Sequence, residues 1–170
     1  MPNWCSNSFT VCHEDPEMIR KFARGVNEGN LFETLIPLSS GEWDYNTAVE
    51  EWGTKWDISG GDVNVSEDGK SADGWFETAW SPAIAAYEKL EELGFTLDVL
   101  YHEPGMTYAG HYYDGTDECF EYDFSNENWR EYIADADVLE LLENEYEHWQ
   151  MWNDEENEDA EDSSEQSSGK

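Results

Sequence analysis

Residues 7–26 read NSFTVCHEDPEMIRKFARGV, and this stretch predicts a β-strand followed by an α-helix. Polar and apolar side chains alternate in residues 7–12, as in a half-buried strand. Asp15 and Pro16 follow, and a capping side chain before proline is typical of the first turn of a helix. We expect the helix to end at Gly25 or Gly29. Its apolar stripe consists of Met18, Ile19, Phe22 and Val26.

The same pair of signals recurs at Ser81 and Pro82, which we expect to begin a second helix. Gly94 predicts its end, because glycine adopts the left-handed conformation that closes many helices. Residues 95–101 alternate in polarity and predict a strand directly after this helix. The apolar face of the helix consists of Ile84, Tyr87, Leu90 and Leu93.

Turn residues predict the remaining strands. The turn-rich residues 67–73 separate two predicted strands, residues 62–66 and 74–78. Asp114 and Gly115 are a strong signal for a two-residue hairpin turn. The predicted strands of that hairpin are residues 109–113 and 118–124.

Two further segments complete the predicted elements. Asp137 is expected to cap a final helix, with Glu140 three residues later as in a capping box. Residues 31–38 are apolar, and we predict that they are partly extended and lead into a long irregular region.

The predicted order is strand, helix, strand, strand, helix, strand, followed by an added hairpin, a C-terminal helix and an acidic tail. This βαββαβ order is typical of the split βαβ or ferredoxin-like arrangement, an antiparallel sheet with helices on one face. We therefore predict an α+β, ferredoxin-like fold. The predicted domains are a ferredoxin-like core (residues 1–113), an acidic hairpin and helix extension packed on the core (114–153) and a disordered acidic tail (154–170).

Acidic residues dominate the composition. The chain has 41 Asp and Glu against 8 Lys and Arg, a formal charge of −33. Residues 1–113 hold 20 acidic and 6 basic side chains, whereas residues 114–170 hold 21 and 2. Two carboxylates ~6 Å apart repel by about 0.7 kcal/mol in water, so the charge opposes compaction. It therefore indicates a partner outside the chain, while the abundant aromatic residues argue for a folded body.

The sequence predicts a cytoplasmic protein of the host cell. No apolar run approaches the ~18 residues of a membrane-spanning helix, and residues 1–20 lack the pattern of a secretory signal. The three cysteines, Cys5, Cys12 and Cys119, are odd in number and lack CxxC spacing. Reduced thiols are therefore favoured over a disulfide.

Four sequence motifs carry a resemblance to a known family. They are residues 1–7 (MPNWCSN), 51–57 (EWGTKWD), 76–82 (FETAWSP) and 101–110 (YHEPGMTYAG). Together they resemble the YubB-type ferredoxin-like domain family of phage and plasmid proteins, over roughly residues 1–113. The resemblance implies a ferredoxin-like fold and an origin in a mobile element. It implies no activity, because the family has no established one.

The tryptophans of these motifs allow two interpretations. In the first, they pack the irregular segment over the sheet. In the second, they form a small-ligand pocket that consists of Trp52, Lys55, Trp80 and Glu103. Lys55 stands between two tryptophans, so it is expected to stack on an aromatic ring or to pair with a carboxylate.

Several chemical functions are not supported by the sequence. It contains no HExxH, paired CxxC, calcium-loop or GxSxG pattern, so we predict no enzyme activity, catalytic residue, cofactor or metal. His102, Glu103 and His111 would form a metal site only if their strands were adjacent. Direct nucleic-acid binding is disfavoured, because the one basic cluster, residues 20–24, has acidic neighbours.

The acidic residues instead resemble the phosphates of a nucleic acid. Alternate side chains on a strand lie ~6.6–6.8 Å apart, near the roughly 6–7 Å between successive phosphates. We predict a phage- or plasmid-encoded inhibitor that mimics nucleic acid and blocks a basic host protein, either a nuclease or restriction complex of a defence system or RNA polymerase. The predicted phosphate surrogates are Asp117, Glu121, Asp123, Glu127, Glu131, Glu140, Glu143 and Glu147. The alternatives are an acidic surface that only confers solubility, a tail that attracts basic partners without defined geometry, and the small-ligand pocket.

Overall fold

The computed structural model describes the backbone of residues 3–167 and the side chains of residues 3–153. Within these residues it is an α+β protein with one six-stranded antiparallel sheet and five α-helices. The strands are β1 (Trp4–Cys12), β2 (Ser59–Val65), β3 (Ser71–Ala79), β4 (Thr96–Glu103), β5 (Tyr108–Tyr113) and β6 (Thr116–Glu121). The helices are α1 (Pro16–Glu28), α2 (Leu31–Leu35), α3 (Tyr45–Trp52), α4 (Ile84–Glu92) and α5 (Ala136–Ser167), with a 3-10 turn at Trp129–Tyr132.

The strand order in the sheet is β2-β3-β1-β4-β5-β6, and every neighbouring pair is antiparallel. The predicted α+β class and antiparallel sheet are therefore confirmed. β1 alternates between buried and exposed residues along its length, so one face of the sheet carries the core. Apolar residues of α1 and α4 join that core on the same face. Its members from these elements and the sheet include Phe9, Ile19, Phe22, Phe76, Tyr87, Leu90 and Val99.

The predicted first helix is confirmed. Asp15 caps α1, where its Oδ1 accepts a hydrogen bond from the Glu17 N–H at 2.9 Å, and Pro16 occupies the first turn. Gly29, with φ of 71°, ends the helix. The local signals of cap, proline and glycine were sufficient here, because all of them act within one turn of the helix they delimit.

The prediction that residues 31–38 are partly extended was wrong for residues 31–35. They contain the short helix α2, and the region that follows contains α3. Asp57 accepts hydrogen bonds from the N–H groups of Phe32 and Glu33 at the start of α2, at 3.0 and 2.8 Å. Burial raises the pKa of Asp57 despite these bonds. The cap lies about 25 residues along the chain from the helix it stabilises, so no local pattern revealed it.

Two predicted helix starts also differ from the structure. Ser81 does not cap α4, because its hydroxyl donates to the carbonyl oxygen of Gly53 at 2.9 Å, and the helix begins at Ile84. At α5 the capping carboxylate belongs to Asp135, which accepts from the N–H groups of Asp137 and Val138, each at 2.9 Å.

α5 is longer than predicted. It continues to Ser167, whereas residues 154–170 were expected to form a disordered tail; residues 168–170 lie outside the described residues. Glu, Ala and Gln are good helix formers, and extending an existing helix is easier than nucleating one.

The chain divides into two compact units, Met1–Glu121 and Tyr122–Lys170. The division falls after β6 rather than at residue 113, because both strands of the hairpin belong to the sheet. The second strand of the hairpin was predicted to reach residue 124, but β6 ends at Glu121. Asp123 therefore belongs to the second unit and not to a strand.

The second unit is built on an aromatic cluster. Its rings lie between 4.5 and 5.9 Å apart, centroid to centroid, which suits favourable edge and offset contacts. The guanidinium of Arg130 lies 4.6 Å from the ring centroid of Trp129 and 4.9 Å from that of Tyr146. The clustered residues are Tyr122, Phe124, Trp129, Tyr146 and Trp149.

Among the described residues, none of the helices combines the length and the apolar character that crossing a bilayer requires.

Candidate acidic interface

The edge strand β6 presents the first group of predicted phosphate surrogates. Asp114 and Gly115 have φ values of 50° and 71°, the left-handed conformation that a two-residue type I′ turn requires at both positions. The predicted alternation is confirmed for this strand, since Asp117, Cys119 and Glu121 lie opposite β5 residues of one face. All three are exposed. Two of the predicted surrogates therefore share one side of an exposed edge.

Asp117 is held in place by a core tyrosine two strands away. Tyr101 on β4 is 1% exposed, and its hydroxyl donates to Asp117 Oδ1 at 2.7 Å. Gly110 lies between them on β5, and a Cβ atom there would come within 2.2 Å of the Tyr101 hydroxyl. Only glycine leaves room for the ring to cross the strand. Burial, followed by the hydrogen bond to Asp117, raises the pKa of Tyr101, so the hydroxyl remains a donor.

A second core tyrosine holds a carboxylate from a helix. Tyr112 on β5 is the direct cross-strand partner of Asp117, and its hydroxyl donates to Glu91 Oε2 of α4 at 2.9 Å. Burial raises the pKa of Tyr112, and the charges of Glu91 and Glu88 raise it further. Glu91 and Asp117 therefore both lie next to Tyr112, although they come from distant parts of the chain.

We term Glu88, Glu91, Asp117 and Glu121 the edge cluster. None of its carboxylates forms a salt bridge with a Lys, Arg or His side chain within residues 3–153. Lys89, on the same helix as two members, is directed to Glu51 Oε2 at 3.5 Å. The edge cluster is thus an anionic surface without an internal counterion among the described side chains, and tyrosine hydroxyls hold two of its members, Glu91 and Asp117.

The other six predicted surrogates belong to the second unit, and two of them already have partners there. Asp123 accepts from both the N–H and the hydroxyl of Ser125, which lowers its pKa. Glu143 accepts from the Arg130 guanidinium at 2.5 and 2.8 Å, which lowers the pKa of the carboxyl group. The remaining four, all exposed, are Glu127, Glu131, Glu140 and Glu147. Glu143 therefore interrupts the predicted anionic row on α5.

The residues of the predicted ligand pocket have separate roles. Trp52 is 2% exposed, and its indole Nε1 donates to the Ile36 carbonyl oxygen at 2.9 Å, so it is a core residue. Lys55 lies with Nζ 4.2 Å from the ring centroid of Trp56, which agrees with the predicted stacking on an aromatic ring. Trp80 alone presents a large apolar surface, 47% exposed.

Glu103 binds the turn that follows it. The side chain is 1% exposed, and its two oxygens accept from the N–H groups of Gly105 and Met106 at 2.9 and 2.6 Å. A Cβ atom at Gly105 would come within 2.4 Å of Asn3 Nδ2, so the turn lies directly against the first sequence motif. Glu103 is therefore committed to local structure.

A buried polar network joins the first and third motifs. The side-chain amide of Asn7 donates to the Cys5 carbonyl oxygen at 2.9 Å and to Thr78 Oγ1 at 3.0 Å. Its Oδ1 accepts from the Tyr87 hydroxyl at 2.7 Å. Asn7, Thr78 and Tyr87 are each fully buried, and buried polar groups of this kind fix a unique arrangement because each needs its partner.

Trp80 adopts a strained backbone conformation beside this network. Its φ of 71° costs a bulky L-residue roughly 1–2 kcal/mol. The Trp80 N–H donates to the Asn3 carbonyl oxygen at 2.9 Å, and the Trp80 carbonyl oxygen accepts from the Tyr108 hydroxyl at 2.7 Å. The second motif braces the same segment, since Thr54 Oγ1 donates to the Ala79 carbonyl oxygen at 3.1 Å. All four motifs thus meet around Trp80.

The chain matches no protein-family model, no curated protein and no solved structure. The resemblance of the four motifs to the YubB-type family therefore stays a prediction. Their convergence is independent of that resemblance, because it rests on hydrogen bonds within residues 3–108.

Sequence reasoning missed Glu88 and Glu91 as members of the acidic interface. The sequence pattern of α4 predicts only its buried face, where Tyr87 and Leu90 are confirmed as core residues, whereas Leu93 follows the helix and is 42% exposed. The acidic positions on the outward face of that helix were a usable signal. Glu91 approaches the hairpin of β5 and β6 through its bond to Tyr112, a contact between residues 21 positions apart in the chain.

The three cysteines are free and differ in accessibility, which predicts a graded thiol reactivity. Cys5 is 0% exposed, and burial raises its pKa to about 12; at mildly alkaline pH it holds almost no thiolate, the reactive form. Cys12 is exposed, and Cys119 is exposed with a pKa that partial burial raises. In a titration with a chromogenic disulfide reagent, we expect Cys12 to react first, Cys119 more slowly, and Cys5 only after denaturation. Equal rates for all three in the native protein would contradict the described burial.

Proposed function

We propose that this protein is a non-enzymatic, acidic inhibitor that mimics nucleic acid and occupies the basic groove of a host nucleic-acid-binding protein. The observation that carries the proposal is the edge cluster, in which carboxylates of α4 and β6 are held by the hydroxyls of Tyr101 and Tyr112. Fixed charges recognise a groove at a lower entropic cost than mobile ones, because fewer rotamers are lost on binding.

The geometry of β6 supports this proposal. Asp117 and Glu121 are four residues apart on one side of the strand, a separation of ~13 Å, or about two phosphate intervals. Glu91 reaches the same side through Tyr112. An uncompensated anionic surface of this kind also steers a cationic partner to it and speeds association.

We further propose a ferredoxin-like core, a phage or plasmid origin and a cytoplasmic location in the host. The order β2-β3-β1-β4 within the sheet supports the fold, because a split βαβ unit places the first strand between the third and the fourth. The hairpin of β5 and β6 then extends that core at the β4 edge. The target class that suits the charge is a nuclease or restriction complex of a defence system, with RNA polymerase as the alternative target.

The small-ligand alternative has less support. Trp52 and Glu103, two of its four residues, are buried and hydrogen-bonded to other groups. A ligand site would have to be formed by Trp80 and Lys55 without them.

The test is displacement of labelled duplex DNA from purified restriction complexes, nucleases and RNA polymerase. One variant neutralises the edge cluster (Glu88→Gln, Glu91→Gln, Asp117→Asn, Glu121→Gln). A matched control neutralises four exposed acids elsewhere in the same unit (Glu28→Gln, Glu42→Gln, Asp62→Asn, Asp73→Asn). We expect wild-type protein to displace DNA from at least one target, and the edge variant to need about 100-fold more protein, from four contacts of under 1 kcal/mol each.

The control variant should lose less than about threefold, within the effect of net charge alone. Displacement should also weaken steeply between ~50 and ~300 mM salt, because the interaction is ionic. If the edge variant and the control variant lose DNA displacement equally, net charge rather than the arrangement of the carboxylates causes the effect. The mimicry would then be rejected. Failure to displace DNA from any member of the panel would reject the proposed function itself.

A further inference from the structure

We propose that Trp80 binds an arginine side chain of the partner, with the guanidinium stacked on the exposed indole face. The inference rests on the proposed function, because it takes the partner to be a basic protein. The backbone conformation alone does not explain a tryptophan at position 80, because glycine adopts the same conformation without strain. The inference gives the tryptophan side chain a role in binding.

Trp80 combines a fixed backbone with a free side chain. Its N–H and carbonyl oxygen are both hydrogen-bonded, to Asn3 and Tyr108. Its side chain is 47% exposed. A large aromatic ring presented from a fixed backbone is preorganised for contact, and tryptophan is the residue most enriched at binding hot spots.

Trp80 is connected to the edge cluster through one residue. Tyr108 donates its hydroxyl to the Trp80 carbonyl oxygen at 2.7 Å, and it lies directly opposite Glu121 in the ladder of β5 and β6. Directly paired residues of adjacent strands project to the same face of a sheet. Trp80 itself follows β3, which β1, β4 and β5 separate from β6, so the bound partner must extend past the Glu121 end of the edge cluster to reach it.

The chemistry of the site favours a cation as the occupant. Two other tryptophans already carry cations from the chain itself, Lys55 on Trp56 at 4.2 Å and Arg130 on Trp129 at 4.6 Å. Trp80 carries none from the described residues. A guanidinium is planar and weakly hydrated, so it stacks on an indole better than an ammonium group does. The formal charge of −33 disfavours a second copy of the chain or a nucleic acid as the occupant.

Calorimetric titration with an acetylated oligo-arginine peptide and an oligo-lysine peptide of equal length tests the inference. The wild-type protein should bind the arginine peptide about fivefold more tightly than the lysine peptide, from one stacking contact. Trp80→Ala should weaken arginine-peptide binding about tenfold and abolish the preference, whereas Trp80→Phe should retain part of it, because phenylalanine offers a weaker ring.

Trp75→Ala is the matched control. Trp75 is 44% exposed on β3 and is not among the non-glycine residues with positive φ. The Trp75→Ala variant should bind the arginine peptide and the lysine peptide within about twofold of the wild-type affinities, since a tryptophan outside the interface contributes nothing to binding. The neutralised edge variant should weaken both peptides and keep the arginine preference, because it removes charge but not the ring.

The outcomes separate this inference from the proposed function. If Trp80→Ala behaves like Trp75→Ala, or weakens both peptides equally, the arginine site is overturned even where DNA is displaced from a target. If the arginine preference depends on Trp80 while no target releases DNA, the arginine site is supported and the proposed function is rejected. Near-ultraviolet circular dichroism checks that each variant is folded, and Trp80→Phe keeps the test decisive if the alanine variant is not.

Discussion

Replacing Gly110 with alanine is expected to lower the free energy of unfolding by about 3 kcal/mol and to release Asp117 from its fixed position. The added Cβ would lie 2.2 Å from the Tyr101 hydroxyl oxygen and 2.5 Å from the Glu118 carbonyl oxygen. Neither the ring, which is 1% exposed, nor the strand backbone has space to move. Urea denaturation followed by fluorescence and circular dichroism measures the loss.

Tyr101→Phe is the companion variant to Gly110→Ala. It keeps the ring over Gly110 and removes only the hydroxyl that binds Asp117. We expect Tyr101→Phe to lower the free energy of unfolding by about 1 kcal/mol, the usual net value of one hydrogen bond. We also expect it to weaken DNA displacement as much as Asp117→Asn would. A Gly110→Ala protein as stable as the wild type would show that the ring does not cross β5 at this point.

The second large effect is expected at Asn7, which has no exposed surface and bonds with its whole side-chain amide. Asn7→Ala leaves the Tyr87 hydroxyl and Thr78 Oγ1 without that partner, and we expect a loss of about 3 kcal/mol. Asn64→Ala is the control, because Asn64 is an exposed asparagine on β2, where the loss should stay below about 0.5 kcal/mol.

A double-mutant cycle with Tyr87→Phe isolates the bond between Asn7 and Tyr87. The Asn7 Oδ1 accepts from the Tyr87 hydroxyl at 2.7 Å, so the two losses should not add, and the coupling should be about 1 kcal/mol. Strictly additive losses would mean that the two side chains act independently, in contradiction to the described network.

Local sequence signals were sufficient where both partners of an interaction lie within a few residues. The cap at Asp15, the stop at Gly29 and the turn at Asp114 are all of this kind, and they predicted α1 and the turn of the last hairpin correctly. The antiparallel α+β class followed from the order of such elements.

Local sequence signals were insufficient where the deciding contact joins residues that are far apart in the sequence. Asp57 caps a helix about 25 residues before it, and Ser81 bonds to Gly53 instead of capping α4. The acidic interface shows the same division. Alternation identified Asp117 and Glu121, whereas Glu91 enters only because Tyr112 reaches it 21 residues away.

The charged outer strand also governs how copies of this chain meet each other. An exposed edge strand with unpaired backbone groups can pair with the edge strand of another molecule, so that the two sheets join edge to edge. Asp117, Glu118 and Glu121 are exposed on the edge strand β6, so a second molecule that pairs with this strand would bring like charges close together. We therefore expect the carboxylates of the proposed interface also to oppose polymerisation of this protein through its own sheet.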